Sequence, residues 1–100
     1  MSSVDTLEQF EDLFRKARTL AQQGNQEQAI EVYLQARGLD ASHAELNHFI
    51  GDSFLNLNRL DEAIAAYEAS LQHNPTANWT YYNLAVALFR NKQYKKSTRH

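Results

Sequence analysis

At 100 residues, with no cysteine, 43% apolar and 22% charged side chains and a formal net charge of −2, the chain fits one small globular domain. That composition excludes a disulfide scaffold and a thiolate metal site, and no apolar run approaches the roughly 20 residues that a membrane-spanning helix requires. Met1–Asp5 carries neither the basic nor the apolar part of a secretory leader. A cytoplasmic setting with no membrane partner is therefore expected. The small net charge conceals a division: all 12 acids lie at or before Glu68, and the stretch after it holds only cations, Arg90, Lys92, Lys95, Lys96 and Arg99. These crowd one end and form no basic stripe along a reading element, so no nucleic-acid partner is expected.

The first helix is expected to open with a capping box, in which Asp5 accepts from early backbone N–H groups and Glu8, three residues on, reaches back. Leu7, Phe10, Leu13, Ala17 and Leu20 follow at helical spacing. The run ends at Gln22-Gln23-Gly24-Asn25, where Gly24 is free to take the left-handed conformation that closes a helix. A second, shorter helix from about Gln26 to Gly38 places Ala29, Ile30, Tyr33 and Ala36 on one face. The two form an antiparallel pair.

Ser42-His43-Ala44-Glu45 predicts a second capping box, leading into Leu46, Phe49, Ile50, Phe54 and Leu57 and a turn at Asn58. The partner helix runs from about Leu60 to His73 and stops before Pro75, whose ring disfavours helical geometry at Asn74. The pattern then starts a third time, with Tyr81, Leu84, Ala85 and Leu88 in the register of Asn47, Ile50, Gly51 and Phe54. Asn91-Lys92 falls where the earlier turns sit, which predicts another turn and a further helix from about Tyr94, cut short at His100. The stretch from Thr76 to Arg90 carries Trp79, Tyr81, Tyr82, Leu84, Val86, Leu88 and Phe89 and is apolar on almost every side, so burial all round is expected.

The unit that recurs is Ala-Ile-x-x-Tyr, seen at Ala29, Ile30 and Tyr33 and again at Ala63, Ile64 and Tyr67, about 34 residues on. Ala17, Gly51 and Ala85 are small at one register position, while Leu20, Phe54 and Leu88, three residues on, are large. Small residues let two helices approach and large ones fill the space beside the contact. With these positions, the turns, the two tyrosines and Pro75, the chain resembles the tetratricopeptide repeat (TPR) family. The resemblance covers about Phe10 to His100, as units of about 10–43, 44–77 and an incomplete 78–100, with 1–9 extending the first helix. It implies an all-α fold: a helix-turn-helix repeat array, an α-solenoid whose antiparallel pairs form a right-handed superhelix. Departures are Lys16, where Ile50 and Leu84 are apolar; Asn47, where Leu13 and Tyr81 are apolar; and Ala41 in place of the proline.

No catalytic constellation emerges, and neither a cofactor nor a metal is expected. Gly24, Gly38 and Gly51 are spaced as helix ends and a crossing and cannot cradle a phosphate. His43 and His48 fall on different helix faces, and no cysteine or carboxylate completes a metal set. Asp61-Glu62 opens a helix, where negative charge suits the macrodipole. Enzymatic activity is not expected.

Binding is the role left, and the resemblance implies its geometry: the first helix of each pair lines a concave groove that takes a peptide or helix. The groove would present Glu11, Phe14, Arg18 and Gln22, then Glu45, His48, Asp52 and Asn56, then Trp79, Tyr82, Val86, Phe89 and Arg90, each set one helical stripe. The aromatics either anchor an apolar segment or pack against a following helix. The family's best-known ligand, the acidic C-terminal tail of cytosolic chaperones, is held by two Lys/Asn pairs and an Arg. This chain has Phe14, Arg18, Phe49, Trp79 and Asn83 at those positions, so chaperone-tail binding is not expected. The leading expectation is a scaffold module for a protein or peptide partner. Alternatives are a homo-oligomer assembled through the apolar third unit, and the N-terminal segment of a longer protein with a downstream enzyme domain.

Overall fold

The computed structural model describes residues 3–97, and among them five helices: α1 (Ser3–Gln22), α2 (Gln26–Leu39), α3 (Ala44–Asn56), α4 (Leu60–His73) and α5 (Asn78–Ser97). Arg99 and the expected repeat end at His100 lie outside the described residues. Each helix packs on the next, and α1 and α5 also touch α3. The result is two layers, α1–α3–α5 and α2–α4, in a slab of 56 × 29 × 18 Å.

Turn chemistry repeats with the sequence. Gly24 takes φ +88° and Asn58 φ +61°, the left-handed region that glycine and asparagine tolerate best. Around them Asn25 N donates to Leu20 O and Arg59 N to Phe54 O, both at 2.9 Å, with Gly24 N on Ala21 O and Asn58 N on Leu55 O. Both ends are the same Schellman closure. The loops into α3 and α5 are likewise copies. Ser42 donates its backbone N–H and its hydroxyl to Asp40 Oδ1, as Thr76 does to Asn74 Oδ1. Ala41 and Pro75 sit in the middle of one Asx turn, so the turn forms without the proline.

Three expectations about the helix ends need correction. The side chain capping α3 is His43, whose Nδ1 accepts from Leu46 N at 3.1 Å, because Ser42 is occupied by Asp40. Asp5 does not precede α1 but lies inside its first turn, where it still favours the positive end of the helix. No turn forms at Asn91-Lys92, and α5 runs through to Ser97. Lysine has no special tolerance for left-handed backbone, and the Asn91 side chain is held in the helix by its donation to Asp61 Oδ1 at 3.1 Å.

The core follows the Ala-Ile-x-x-Tyr register. Ala17, Ala29 and Ala63 are wholly buried, as are Leu46, Ile50 and Tyr67. A Cβ on Gly51 would stand 2.6 Å from Tyr67 Cε1, so only glycine admits the ring. Asn47, the polar departure in the register, is 1% exposed and donates to the carbonyls of Ala41 and His43, pinning the loop to α3. The expected all-round burial of α5 does not occur. Thr80 and Ala87 are buried, whereas Trp79, Tyr81, Tyr82, Leu88, Phe89 and Tyr94 are exposed, and so is Ala85. No second helix of a third unit lies over them among the described residues.

Candidate functional site

Of the residues expected along the inner layer, Glu11, Arg18, Gln22, Glu45, Asn56, Trp79, Tyr82, Phe89 and Arg90 are exposed, and Asp52 and Val86 half-buried. Phe14 and His48 differ from the expectation: both are buried. Phe14 belongs to an aromatic cluster, with ring centroids 5.8 Å from Phe10, 6.2 Å from Tyr33 and 5.6 Å from both His43 and Phe49. The Arg18 guanidinium covers it, 4.9 Å from the Phe49 ring centre and 6.0 Å from that of Phe14. The long α1 side chains thus cap the aromatic core from the solvent side.

Two clefts flank this cluster. The larger, about 430 Å³, lies between α1, the end of α2 and the start of α3. The buried rings of Phe10 and Phe14 form its floor with Leu39 and His43, and the exposed carboxylates of Glu11, Asp40 and Glu45 stand around it. No lysine or arginine lines it. The hydroxyl and N–H of Ser42, both donated to Asp40, hold that carboxyl below its ordinary value of 3.8, so it stays charged. The smaller cleft, about 190 Å³, is lined by Arg18, Gln22, Tyr33, Phe49, Asp52 and Asn56. Burial raises the Tyr33 hydroxyl to about 12, so it remains a neutral donor there.

Beside it, α3, α4 and α5 meet through a polar network that the sequence reading missed. Asp52 Oδ1 accepts from the Tyr67 hydroxyl at 2.5 Å and from Asn83 Nδ2 at 2.9 Å, while Oδ2 lies 3.2 Å from His48 Nε2. On the far side of the ring, His48 Nδ1 is 2.9 Å from Thr80 Oγ1. An ionised carboxylate can only accept, so Nε2 carries the proton, and in the neutral ring Nδ1 accepts from Thr80. Burial, then the bond to Asp52, push the Tyr67 hydroxyl above its ordinary range. The order hydroxyl, imidazole, carboxylate is that of a hydrolase triad, but here Thr80 is wholly buried and its contact with His48 ties α5 to α3. The network is a clamp that fixes α5 against α3. Its signal in the sequence is the pair Thr80 and Asn83, one turn apart on a helix otherwise rich in apolar residues. Among the described residues no group of His, Asp or Glu could hold a metal ion, and no helix is long and apolar enough to cross a membrane.

Antiparallel helix pairs stacked in two layers, with repeated closures and repeated loops, define an α-helical repeat array. Residues 13–43 match the family model described as tetratricopeptide repeat, and residues 51–92 that described as TPR repeat. The chain belongs to the tetratricopeptide repeat family. Among solved structures, the second TPR of Spaghetti (RPAP3) bound to the HSP90 peptide SRMEEVD is similar in fold. Its TM-score is 0.81 at 16% sequence identity, covering 85% of this chain and 79% of that one. No curated protein matches the chain.

Proposed function

We propose that the chain is a non-catalytic interaction module whose α1–α3–α5 layer receives a peptide or helix carrying an apolar side chain next to a cation. The observation that carries this reading is the 430 Å³ cleft, where an aromatic floor is ringed by Glu11, Asp40 and Glu45 with no cation among its lining residues. A lysine or arginine stem can lie along such rings while its charged head meets the carboxylates. TPR membership supports the role of a protein-interaction module, and the RPAP3 domain bound to a peptide illustrates the same fold in that role.

The acidic chaperone tail is not the ligand in this reading. Phe14 and Phe49 are packed against other rings, Arg18 covers them, and Asn83 is committed to Asp52. Calorimetry of an apolar-basic peptide against the heptapeptide SRMEEVD tests the assignment. The basic peptide is expected to bind at least about tenfold more tightly, with the preference reversed by Glu11→Lys combined with Glu45→Lys. Tighter binding of SRMEEVD to the unmodified chain would reject it.

A further inference from the structure

Tyr33 and Tyr67 hold one position in successive repeat units, and their hydroxyls meet different surroundings. The Tyr67 hydroxyl donates to Asp52 Oδ1, which also accepts from Asn83 Nδ2 at 2.9 Å. About 34 residues earlier the places of Asp52 and Asn83 are held by Arg18 and Phe49, and neither side chain can accept a hydrogen bond. The Tyr33 ring lies between Phe14 and Phe49, nearly parallel to the latter. Tyr33 is 1% exposed, and its hydroxyl makes no hydrogen bond among the described residues although it lines the 190 Å³ cleft.

The same cleft holds an acceptor in the same condition. Gln26 Oε1 is buried without a partner, while Nε2 donates to Ala21 O at 3.1 Å and so fixes which end of the amide accepts. A buried acceptor left unpaired is costly, which favours any group that brings it a donor. The second unit has Leu60 at this position, so the acceptor belongs to the first cleft alone.

Charge narrows what can enter. The cleft is lined by one cation and one anion: Arg18, seated over the Phe49 ring with no ion pair among the described residues, and Asp52. A carboxylate would face Asp52 and leave Gln26 Oε1 without a donor. An ammonium group would face Arg18 and leave the Tyr33 hydroxyl without an acceptor. A backbone peptide unit brings one N–H, whereas two acceptors line the cleft, Gln26 Oε1 and the Asp52 carboxylate, whose Oδ2 has only His48 Nε2 as partner. A primary carboxamide is neutral and supplies a carbonyl together with two N–H donors. The chain itself places one, that of Asn83, beside Asp52 and the Tyr67 hydroxyl.

We propose that the smaller cleft is a carboxamide subsite: it takes a glutamine or asparagine side chain whose carbonyl accepts from the Tyr33 hydroxyl and the Arg18 guanidinium and whose NH2 donates to Gln26 Oε1 and Asp52. The subsite rests on the reading of the α1–α3–α5 layer as a peptide receiver and specifies its ligand further. Glu11 at the larger cleft and Arg18 at the smaller are two helical turns apart, about 10 Å, which an extended peptide covers in about three residues. The carboxamide therefore stands about three residues from the basic anchor.

Calorimetry of acetylated, amidated Phe-Lys-Ala-Ala-X-Ala against the intact chain, and of the same peptide in reverse order, tests the subsite with X as Gln, Glu, Lys and Ala. In one of the two orders Gln is expected to bind at least about tenfold more tightly than each of the others. Tyr33→Phe, which breaks no internal hydrogen bond, and Gln26→Leu should each bring the Gln peptide down to the level of the Ala peptide. Equal affinities for Gln and Ala, a preference for Glu or Lys, or a Gln preference that survives both substitutions would overturn the proposal. If none of the peptides binds, the larger cleft loses its assignment, and the smaller is judged by itself with propionamide, propionate and propylammonium, followed by NMR at the side chains of Gln26 and Arg18. Saturable shifts with propionamide alone, lost in Tyr33→Phe, sustain the subsite; shifts with either charged analogue, or with none of the three, overturn it.

Discussion

Helices α3 and α5 are two versions of one element, and they end in opposite surroundings. In α3 the small position, Gly51, lies under a tyrosine ring, and the large position, Phe54, is 7% exposed. In α5 the matching Ala85 and Leu88 face solvent. Each amphipathic repeat buries its stripe only against a neighbour, so the same pattern is core where a neighbour exists and surface where none does. An apolar register therefore states a demand for contact, and the fold decides which demands are met.

The comparison is sharpest for side-chain truncation. Phe54→Ala is expected to cost about 3–5 kcal/mol, whereas Leu88→Ala should cost about 1 kcal/mol or less because half of that side chain is already in water; urea denaturation of both variants measures the gap. Equal losses would show that α5 is covered in solution. Adding volume at the paired small positions gives the next effect. Gly51→Leu drives a side chain into Tyr67 and should destabilise by about 2–3 kcal/mol, while Ala85→Leu is expected to stay within about 0.5 kcal/mol of the parent.

The polar clamp probes how α5 is held at all. Asp52→Ala removes the acceptor shared by Tyr67 and Asn83, leaving a buried phenol unpaired at a cost of about 1–3 kcal/mol. Hydrogen exchange should quicken most in α5, and a uniform change across all five helices would contradict the clamp. A further effect is expected at alkaline pH. Below pH 10.0, the ordinary tyrosine value, Tyr33 keeps its proton in both folded and unfolded chains. As pH rises from there toward about 12, the unfolded chain ionises first and stability falls. Tyr67, raised in the same direction, steepens the fall. Tyr33→Phe should flatten the curve of melting temperature against pH between those values.

The inner-layer site was legible only in part. Its exposed members, Glu11, Arg18, Glu45 and Trp79 among them, follow from helical spacing, because a stripe one turn apart shares a face whatever it meets. Phe14 and His48 lie on the same stripes and are buried. What buries Phe14 includes Phe49 and Tyr33, and His48 pairs with Thr80; both contacts cross between helices and leave no mark in local spacing. The cleft likewise joins residues of α1 to Leu39 at the end of α2 and to Asp40 and His43 of the following loop, a stretch the sequence showed only as a helix end and a capping box.

Local chemistry by itself determined that the chain is a run of helices, and the closures of α1, α3 and α4. The extent of α4, the left-handed Gly24 and the turn at Asn58 follow from propensity, proline and backbone tolerance, which act over a few residues. The tertiary structure decided what local chemistry leaves open. Ser42 lost the cap of α3 to His43 because Asp40 held it, and Asn91 stayed helical in the grip of Asp61. The face of α5 became surface for the same reason: burial depends on a neighbour, and a neighbour is a property of the assembled chain.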